Sequence, residues 1–196
     1  MFGEQNLLEL ETALKNQENN IRINIHLRLN RNIKNWATMA NNMLINNLEP
    51  DIMFGKNSVM QPHITILIGE LINANNLQTV LNITKKIVNG CGKCINLKFK
   101  NLSFSDNENW AFLWAEENDA INKITKELIK GLSPFVNITN FGNPHITLAK
   151  AKNLKQNKNV LNDLSFPSHT SCFRVDIALC GKGGTVFKVI DSFSLI

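Results

Sequence analysis

The sequence predicts an α+β protein of two pseudo-symmetric lobes, each a mostly antiparallel sheet with helices on its outer face, with a cleft between the lobes. Strands and helices are expected in a similar order in both halves of the chain, and Pro-His-Ile-Thr occurs in each half. The 196 residues, 43% of them hydrophobic, can bury a sizeable core. We expect a helical arm over residues 1–20 and a single bilobal domain over residues 21–196.

The first half of the chain begins with an alternating strand. In IRINIHLRLN, residues 21–30, apolar side chains occupy every second position, which is typical of a strand with one buried face. The helical spacing of apolar residues in IKNWATMANNMLINNL, residues 33–48, predicts a helix. The Pro, Gly and Asn of residues 49–62 predict a loop, which leads into HITILI, residues 63–68, an apolar and β-branched segment predicted as a buried strand.

The rest of the chain is predicted to form further helices and strands. Two amphipathic segments predict helices closed by Gly90 and Gly131. The second motif lies in another apolar, β-branched strand, and GKGG predicts the turn of a closing hairpin. The predicted elements are, in order, a helix over 76–90, strands over 95–105 and 110–116, a helix over 119–131, a strand over 143–150, a helix or loop over 159–165, and strands over 172–180 and 185–194.

Composition limits the kinds of protein that this sequence can encode. No stretch approaches the run of about 20 apolar residues that a membrane helix requires, and the N-terminal segment has no basic part followed by an apolar one. We therefore expect a soluble, cytoplasmic protein. The formal net charge of +5 favours a polyanionic partner, although the basic residues are spread along the chain and form no long run.

The four cysteines raise the question of a metal site. Cys91 and Cys94 form a Cys-x-x-Cys pair, and Cys172 and Cys180 could supply the other half of a zinc site. The gap between the last two fits no usual ligand spacing, however, and alternation in CFRVDIALC places both thiols on one face of a strand. We expect reduced, buried thiols, with no metal and no other cofactor.

The repeated motif places an imidazole and a hydroxyl together on each of two strands. Residues i and i+2 of a strand point to the same face, so His63 lies with Thr65, and His145 with Thr147. The isoleucine within each motif then points into the core. A proline before each histidine suits the first residue of a strand at the edge of a cleft. If a pseudo-twofold axis relates the two halves, the two polar faces meet in one site.

Two imidazoles and two hydroxyls suit the cleavage of a phosphodiester without a metal. One group must take a proton from the attacking oxygen and another must give a proton to the leaving oxygen, and histidine titrates near neutral pH in both roles. Threonine hydroxyls can donate hydrogen bonds to the non-bridging phosphoryl oxygens. The motifs therefore predict His63 and His145 as catalytic acid and base, in an order that is left open, and Thr65 and Thr147 as phosphate-binding residues.

The two motifs resemble those of the 2H phosphoesterase superfamily, in which each of two His-x-Thr strands is preceded by Pro and followed by aliphatic residues. The segment FRVDIALCGKGGTVFKVIDSFSL is also similar to the last hairpin of that family. The family includes the so-called 2′,5′-RNA ligases, 2′,3′-cyclic phosphodiesterases and 2′,5′-linkage phosphodiesterases. The resemblance implies a nucleotide phosphodiesterase with an active-site cleft whose catalytic residues are the histidine and threonine of each motif.

Six further residues are candidates for contacts with the substrate. The aromatic residues of NWAFLWAEE alternate onto one face of a strand expected beside a motif strand, where they would stack on a base or pack in the core. Cations in the closing hairpin and in the loop before the first motif would contact a phosphate. The candidates are Trp110, Phe112 and Trp114 in the strand, Arg174 and Lys188 in the hairpin, and Lys56 in the loop.

Three other residues are not expected in the cleft. Lys150 stands at an odd step from His145, which turns its side chain away from the cleft if the strand is regular. His26 lies opposite the apolar series of its strand, and His169 lies in a predicted loop. Both are predicted to be surface or structural histidines.

The sequence therefore predicts a metal-independent phosphodiesterase that acts on a nucleotide or an RNA end. A 2′,3′-cyclic phosphate, a 2′,5′-linked oligonucleotide such as oligoadenylate and a cyclic oligonucleotide offer the same diester to two histidines, and the choice among them is left open. One alternative is an RNA-binding module of the same fold without turnover, consistent with the positive charge. Another is a zinc-dependent nucleotide enzyme that uses the cysteines and would be inactivated by a chelator.

Overall fold

The computed structural model describes residues 21–55, 60–92, 94–141, 143–181 and 184–195. The predicted helical arm at the N-terminus lies outside these residues. Within them, no helix is long and apolar enough to cross a lipid bilayer. The described elements are, in chain order, β1 (Arg22–Arg28), α1 (Arg31–Leu44), β2 (Pro50–Ile52), β3 (His63–Leu71), α2 (Leu77–Asn89), β4 (Ile95–Phe104), β5 (Trp110–Ala115), α3 (Asp119–Leu132), β6 (Val136–Phe141), β7 (His145–Ala151), α4 (Lys158–Asp163), β8 (His169–Cys172), β9 (Arg174–Cys180) and β10 (Val186–Ser194).

The strands form one hydrogen-bonded sheet. Its main path runs β10-β9-β1-β3-β7-β5-β4-β8, with β6 beside β3 and β2 beside β7. Each described pair of strands is antiparallel. The α+β class and the antiparallel pairing are therefore confirmed. The division into two lobes stays a prediction, because the hydrogen bonding is continuous from one half of the sheet to the other.

The two halves of the chain exchange edge strands around the two motif strands. β3 and β7 pair where Ile64 stands opposite Ile146. Away from this pair, β6 from the second half pairs with β3, and β2 from the first half pairs with β7. The helices follow the same exchange, since α1 packs on β7 and α3 packs on β3 and β6. This arrangement holds the two motif strands side by side in the middle of the sheet.

Apolar side chains from the sheet and the helices form the core. In β1, Ile23, Ile25 and Leu27 are fully buried, and so are Ile64 in β3 and Ile146 in β7. Each such side chain stabilises the fold by about 1.5–3 kcal/mol when it leaves water. Because the isoleucine of each motif is held in the core, the histidine and threonine on either side of it must emerge from the opposite face of the sheet.

Asparagine side chains begin two of the helices. Asn30 accepts a hydrogen bond from a backbone N–H in the first turn of α1, and Asn118 accepts two in the first turn of α3. Gly90 follows α2 as predicted. Gly131 instead lies inside α3, where a Cβ atom would come 2.9 Å from the side chain of Ile83 on α2. The glycine there permits close packing of two helices and does not end one.

The closing part of the chain and two short strands differ from the predictions. CFRVDIALC does not form one strand, because β8 ends at Cys172 and β9 begins at Arg174. His169 belongs to β8 and not to a loop. β2 forms within the predicted loop, and β6 was not predicted, since its sequence VNITNF contains two asparagines, which are depleted in strands. Both short strands form by pairing with a distant motif strand.

Candidate active site

The structure brings the four motif residues to one place. Antiparallel pairing at the motif isoleucines sets His63 alongside Thr147 and Thr65 alongside His145. All four side chains line one cavity of about 70 Å³. Because one histidine and one threonine come from each half of the chain, the cavity exists only when both motif strands are in the sheet.

A backbone carbonyl two residues earlier orients each motif histidine. Nδ1 of His63 lies 2.8 Å from the carbonyl oxygen of Gln61, and Nδ1 of His145 lies 2.9 Å from that of Asn143. Since a carbonyl oxygen can only accept, Nδ1 must carry the proton in both neutral rings. Nε2 is then the atom of each ring that is left with a lone pair for acid–base chemistry.

Burial is the main influence on the acidity of both imidazoles. It lowers the pKa of His145, and the Asn143 carbonyl partly offsets this shift. Burial also lowers the pKa of His63; the Gln61 carbonyl opposes that shift, charge on His145 adds to it, and the carboxylate of Asp176 opposes it. The second proton on the pair is therefore harder to add than the first.

Asn24, in β1, is a buried residue of the site that the sequence analysis did not identify. Its amide nitrogen donates to the carbonyl oxygen of Gly184 at 2.9 Å and lies 3.3 Å from both Thr65 Oγ1 and His63 Nε2. Gly184 has φ +83°, and a Cβ atom there would come 2.5 Å from the side chain of Ile68. Glycine thus allows the closing hairpin to approach the first motif, where Asn24 joins the two.

His26, also in β1, lies directly against the first motif histidine. Only 4% of His26 is exposed, and its ring centroid is 4.6 Å from that of His63. It stands opposite Thr65 in β3 and opposite Asp176 in β9. Its Nε2 is 3.7 Å from Asp176 Oδ2, which accepts a 2.7 Å hydrogen bond from Nε of Arg28. His26 was predicted to be either a surface or a structural histidine, and the surface position is wrong.

The three aromatic candidates lie on one face of β5, beside the second motif. The rings of Phe112 and Trp114 are each 4.9 Å from the ring of His145, centroid to centroid. Trp110 lines the motif cavity and stacks on Phe112 at 6.1 Å. The indole N–H of Trp114 donates to Ser103 Oγ at 2.7 Å, which holds that ring in place.

A second cavity adjoins the first on the side of the aromatic residues. Its volume is about 230 Å³, and His145, Thr65 and Asn140 line both cavities. Its other lining residues are Trp114, Phe141 and Asn143. Phe141 and Asn140 belong to β6, the strand that the sequence analysis missed, so they were not among its candidates.

Among the cationic residues, the prediction for Lys150 needs correction. A register shift opposite Ala111 and Phe112 breaks the alternation of β7. Lys150 consequently lies over the ring of Trp110, 4.8 Å from its centroid, and forms an ion pair with Asp51 at 3.1 Å.

The other predicted cations lie elsewhere. Arg174 is exposed at the start of β9, and Lys188 is half-buried in β10. Neither is among the residues that line the two cavities. Lys56 lies outside the described residues.

Cys94 and Cys172 lie close enough for their thiols to interact, but the four cysteines form no disulfide. All four thiols are free, and Cys172 and Cys180 are buried in different strands. Burial raises the pKa of each of these two thiols to about 12. In the part of the chain that the structure describes, no group of three or more His, Cys, Asp or Glu side chains is placed to hold a metal ion.

The antiparallel sheet with its two facing His-x-Thr strands is similar in fold to several solved structures, LigT of E. coli among them. E. coli LigT complexed with 3′-AMP has a TM-score of 0.64 at 11% identity, with 90% of this chain and 98% of LigT covered. LigT complexed with phosphate has a TM-score of 0.61 at 11% identity, covering 91% of this chain and 99% of LigT.

The protein TT0787 of Thermus thermophilus is similar to the same extent, with a TM-score of 0.63 at 15% identity over 89% of this chain and 98% of TT0787. No family model and no curated protein matches the sequence. At this level of identity, the likeness to LigT and TT0787 is a likeness of fold.

Proposed function

We propose that this protein is a metal-independent phosphodiesterase that cleaves a nucleotide phosphodiester, with His63 and His145 as general acid and base. One observation carries the proposal: two half-buried imidazoles with the same tautomer share a cavity with two threonine hydroxyls. Proton transfer in both directions and hydrogen bonds to phosphoryl oxygens are what diester cleavage requires.

The reaction can be written for a 2′,3′-cyclic phosphate. Nε2 of one neutral imidazole takes a proton from water as the water oxygen bonds to phosphorus. The other imidazole, protonated at Nε2, gives that proton to the ribose oxygen as its bond to phosphorus breaks. The product is a phosphomonoester, and exchange of one proton with solvent restores the starting state. A pair that holds one proton more readily than two suits these complementary roles.

The two threonines would bind the phosphoryl group during this step. Each hydroxyl can donate to a non-bridging oxygen as negative charge develops there. The register at the motif isoleucines places each threonine beside the histidine of the other strand. The non-bridging oxygens would therefore be held by Thr65 and Thr147 between the two imidazoles.

The shape of the cleft supports a nucleotide as the substrate. The cavity of about 70 Å³ between the motifs suits a phosphoryl group, and the adjoining cavity of about 230 Å³ provides space for more of the nucleotide. Trp114 and Phe141 offer aromatic faces for a base, and Asn140 offers an amide for hydrogen bonds. The complex of E. coli LigT with 3′-AMP is consistent with this substrate class.

A hydrolysis screen in the presence of EDTA tests the proposal. Its substrates are 2′,3′-cyclic nucleotides, 2′,5′-oligoadenylate, and cyclic di- and trinucleotides. We expect the wild type to cleave at least one of them and the His63→Ala/His145→Ala double variant to cleave none. Tight RNA binding without cleavage would overturn the proposal in favour of an RNA-binding module, and activity that EDTA abolishes would overturn the metal-independent mechanism.

A further inference from the structure

We propose that Asp176 and His26 are positioning residues for His63: the His26 ring holds the His63 ring in place, and the Asp176 carboxylate behind it stabilises the His63 imidazolium. The inference rests on the proposed function, in which His63 carries a proton during part of each cycle. Neither residue is among those that line the two cavities. Both would act on the reaction through His63.

A row of polar residues crosses four strands of the sheet. Ser192 in β10 stands opposite Asp176 in β9, Asp176 stands opposite His26 in β1, and His26 stands opposite Thr65 in β3. Asp176 and His26 are only 3% and 4% exposed. A carboxylate and an imidazole at this depth are costly to bury, and apolar side chains would stabilise the sheet better. The row leads from the edge strand β10 to the first motif.

The hydrogen bonding of this row is incomplete. Among the described residues, Asp176 Oδ1 and Ser192 Oγ are buried and have no hydrogen-bond partner, and His26 Nδ1 has at most a weak contact with the backbone of Asn24. Buried polar atoms without a partner are uncommon in native proteins and call for an explanation other than stability. The 3.7 Å separation of His26 Nε2 from Asp176 Oδ2 is longer than a hydrogen bond, which leaves room for the pair to shorten when charge appears on His63.

Charged groups around His63 show how the row affects the protonation of that residue. Burial and charge on His63 keep the pKa of His26 well below its ordinary value, so His26 is a neutral ring between a carboxylate and a catalytic imidazole. Asp176 opposes the fall in the pKa of His63 that burial causes. The charged or titratable groups that face this region are His26 and Arg28 from β1, Asp176 from β9, His145 from β7 and Lys34 from α1.

Arg28 provides a test of opposite sign. Its side chain is 39% exposed, and its Nε donates to Asp176 at 2.7 Å. Removing the carboxylate with Asp176→Asn takes negative charge away from His63, whereas Arg28→Gln takes away positive charge beside the same carboxylate. Both substitutions break the ion pair between Arg28 and Asp176, so its loss is common to the two variants. They should nevertheless shift the pKa of His63 in opposite directions.

The experiment is an NMR titration of the His63 ring, identified by the signal that His63→Ala removes, together with pH profiles of kcat and KM. We expect the His63 midpoint to move to lower pH in Asp176→Asn and to higher pH in Arg28→Gln. In Asp176→Asn and in His26→Phe, kcat should fall by about tenfold with KM within about twofold. Asp191→Asn, which removes a carboxylate next to Ser192, should leave the midpoint unchanged.

Equal midpoints in the wild type, Asp176→Asn and Arg28→Gln would overturn the inference, as would shifts of the same sign in the last two. Thermal unfolding shows whether each variant folds. If Asp176→Asn does not fold, the direction of the shift in Arg28→Gln decides. The titration does not depend on turnover, so this inference can fail while the phosphodiesterase proposal holds. The titration can equally show the expected shifts in a protein that cleaves no substrate.

Discussion

Replacing Asn24 with alanine should lower both the stability of the protein and its turnover. Asn24 is fully buried, and its amide donates to the Gly184 carbonyl at 2.9 Å. A buried carbonyl left without a donor costs about 1–3 kcal/mol. Within the part of the chain that the structure describes, Asn24 Oδ1 has no hydrogen-bond partner, so its removal offsets part of that loss. We expect a net destabilisation of about 2 kcal/mol, which lowers Tm by about 4–8 °C in a chain of this size.

The effect on turnover has a separate origin. The same amide lies 3.3 Å from His63 Nε2 and from Thr65 Oγ1, and it ties the closing hairpin to the first motif. Without it, the ring and the hydroxyl lose a common neighbour, and kcat should fall by about tenfold. The assay is kcat at a temperature where thermal unfolding shows the variant to be fully folded, with the best diester from the hydrolysis screen as substrate.

Asn41 offers a matched control. It is also fully buried, and its side chain bonds the backbone of Ile52, Phe54 and Leu148 at 2.8–3.1 Å. Asn41→Ala should cost at least as much stability as Asn24→Ala but should keep kcat within about threefold. An equal loss of kcat in the two folded variants would refute the reasoning, because it would trace the effect of Asn24 to general loosening of the fold.

Three further predictions concern the histidines and the aromatic strand. His63→Ala and His145→Ala should each lower kcat at least about a hundredfold. His169→Ala, at an exposed position, should leave kcat unchanged. A kcat close to that of the wild type in either His63→Ala or His145→Ala would exclude the two-histidine mechanism. Burial lowers the pKa values of three histidines from 6.5 in the folded state, so the unfolded chain takes up protons first as the pH falls. Urea unfolding from pH 8 to pH 5 should therefore show a free energy of unfolding that is steady above about pH 7 and falls below about pH 6.5, whereas a flat profile would contradict the burial effect. Trp114→Ala should raise KM for the nucleotide by about tenfold through the loss of base stacking. Trp36→Ala, at a partly buried position that lines neither cavity, should leave KM unchanged, and equal KM values in both variants would remove Trp114 from the binding site.

Local patterns were enough to predict most of the long elements. Alternation predicted β1, amphipathic spacing predicted the first three helices, and the repeated motif predicted the two central strands. What was missed depends on pairing between distant residues. β6 lies in an asparagine-rich segment and is stabilised by β3, which precedes it by about 65 residues along the chain. The shift that turns Lys150 toward Trp110 is likewise a property of the β5–β7 pair and not of either strand alone.

The site shows the same limit. Alternation predicted which face of each motif strand is polar, and the structure brings both faces to one cavity. The same alternation puts Asn24, His26 and Arg28 on one face of β1, which is a usable signal. Only His26 was considered, as a surface or structural histidine, because nothing local reveals that the closing hairpin covers this face or that Asp176 stands beside His26. When a histidine and an asparagine stand two residues apart on a strand that has neighbouring strands on both sides, they should be tested as members of a buried polar network.

The exchange of β2 and β6 has a consequence for how the protein is made. Each motif strand is bordered by a strand that the ribosome adds in the other half, so a nascent chain released only as far as α3 would carry the first motif without β6 or β7. Contacts between such distant residues slow folding, since long loops must close before the contacts form. The proposed phosphodiesterase activity should therefore appear late in synthesis, as a single event, and a prematurely terminated chain should have none of it.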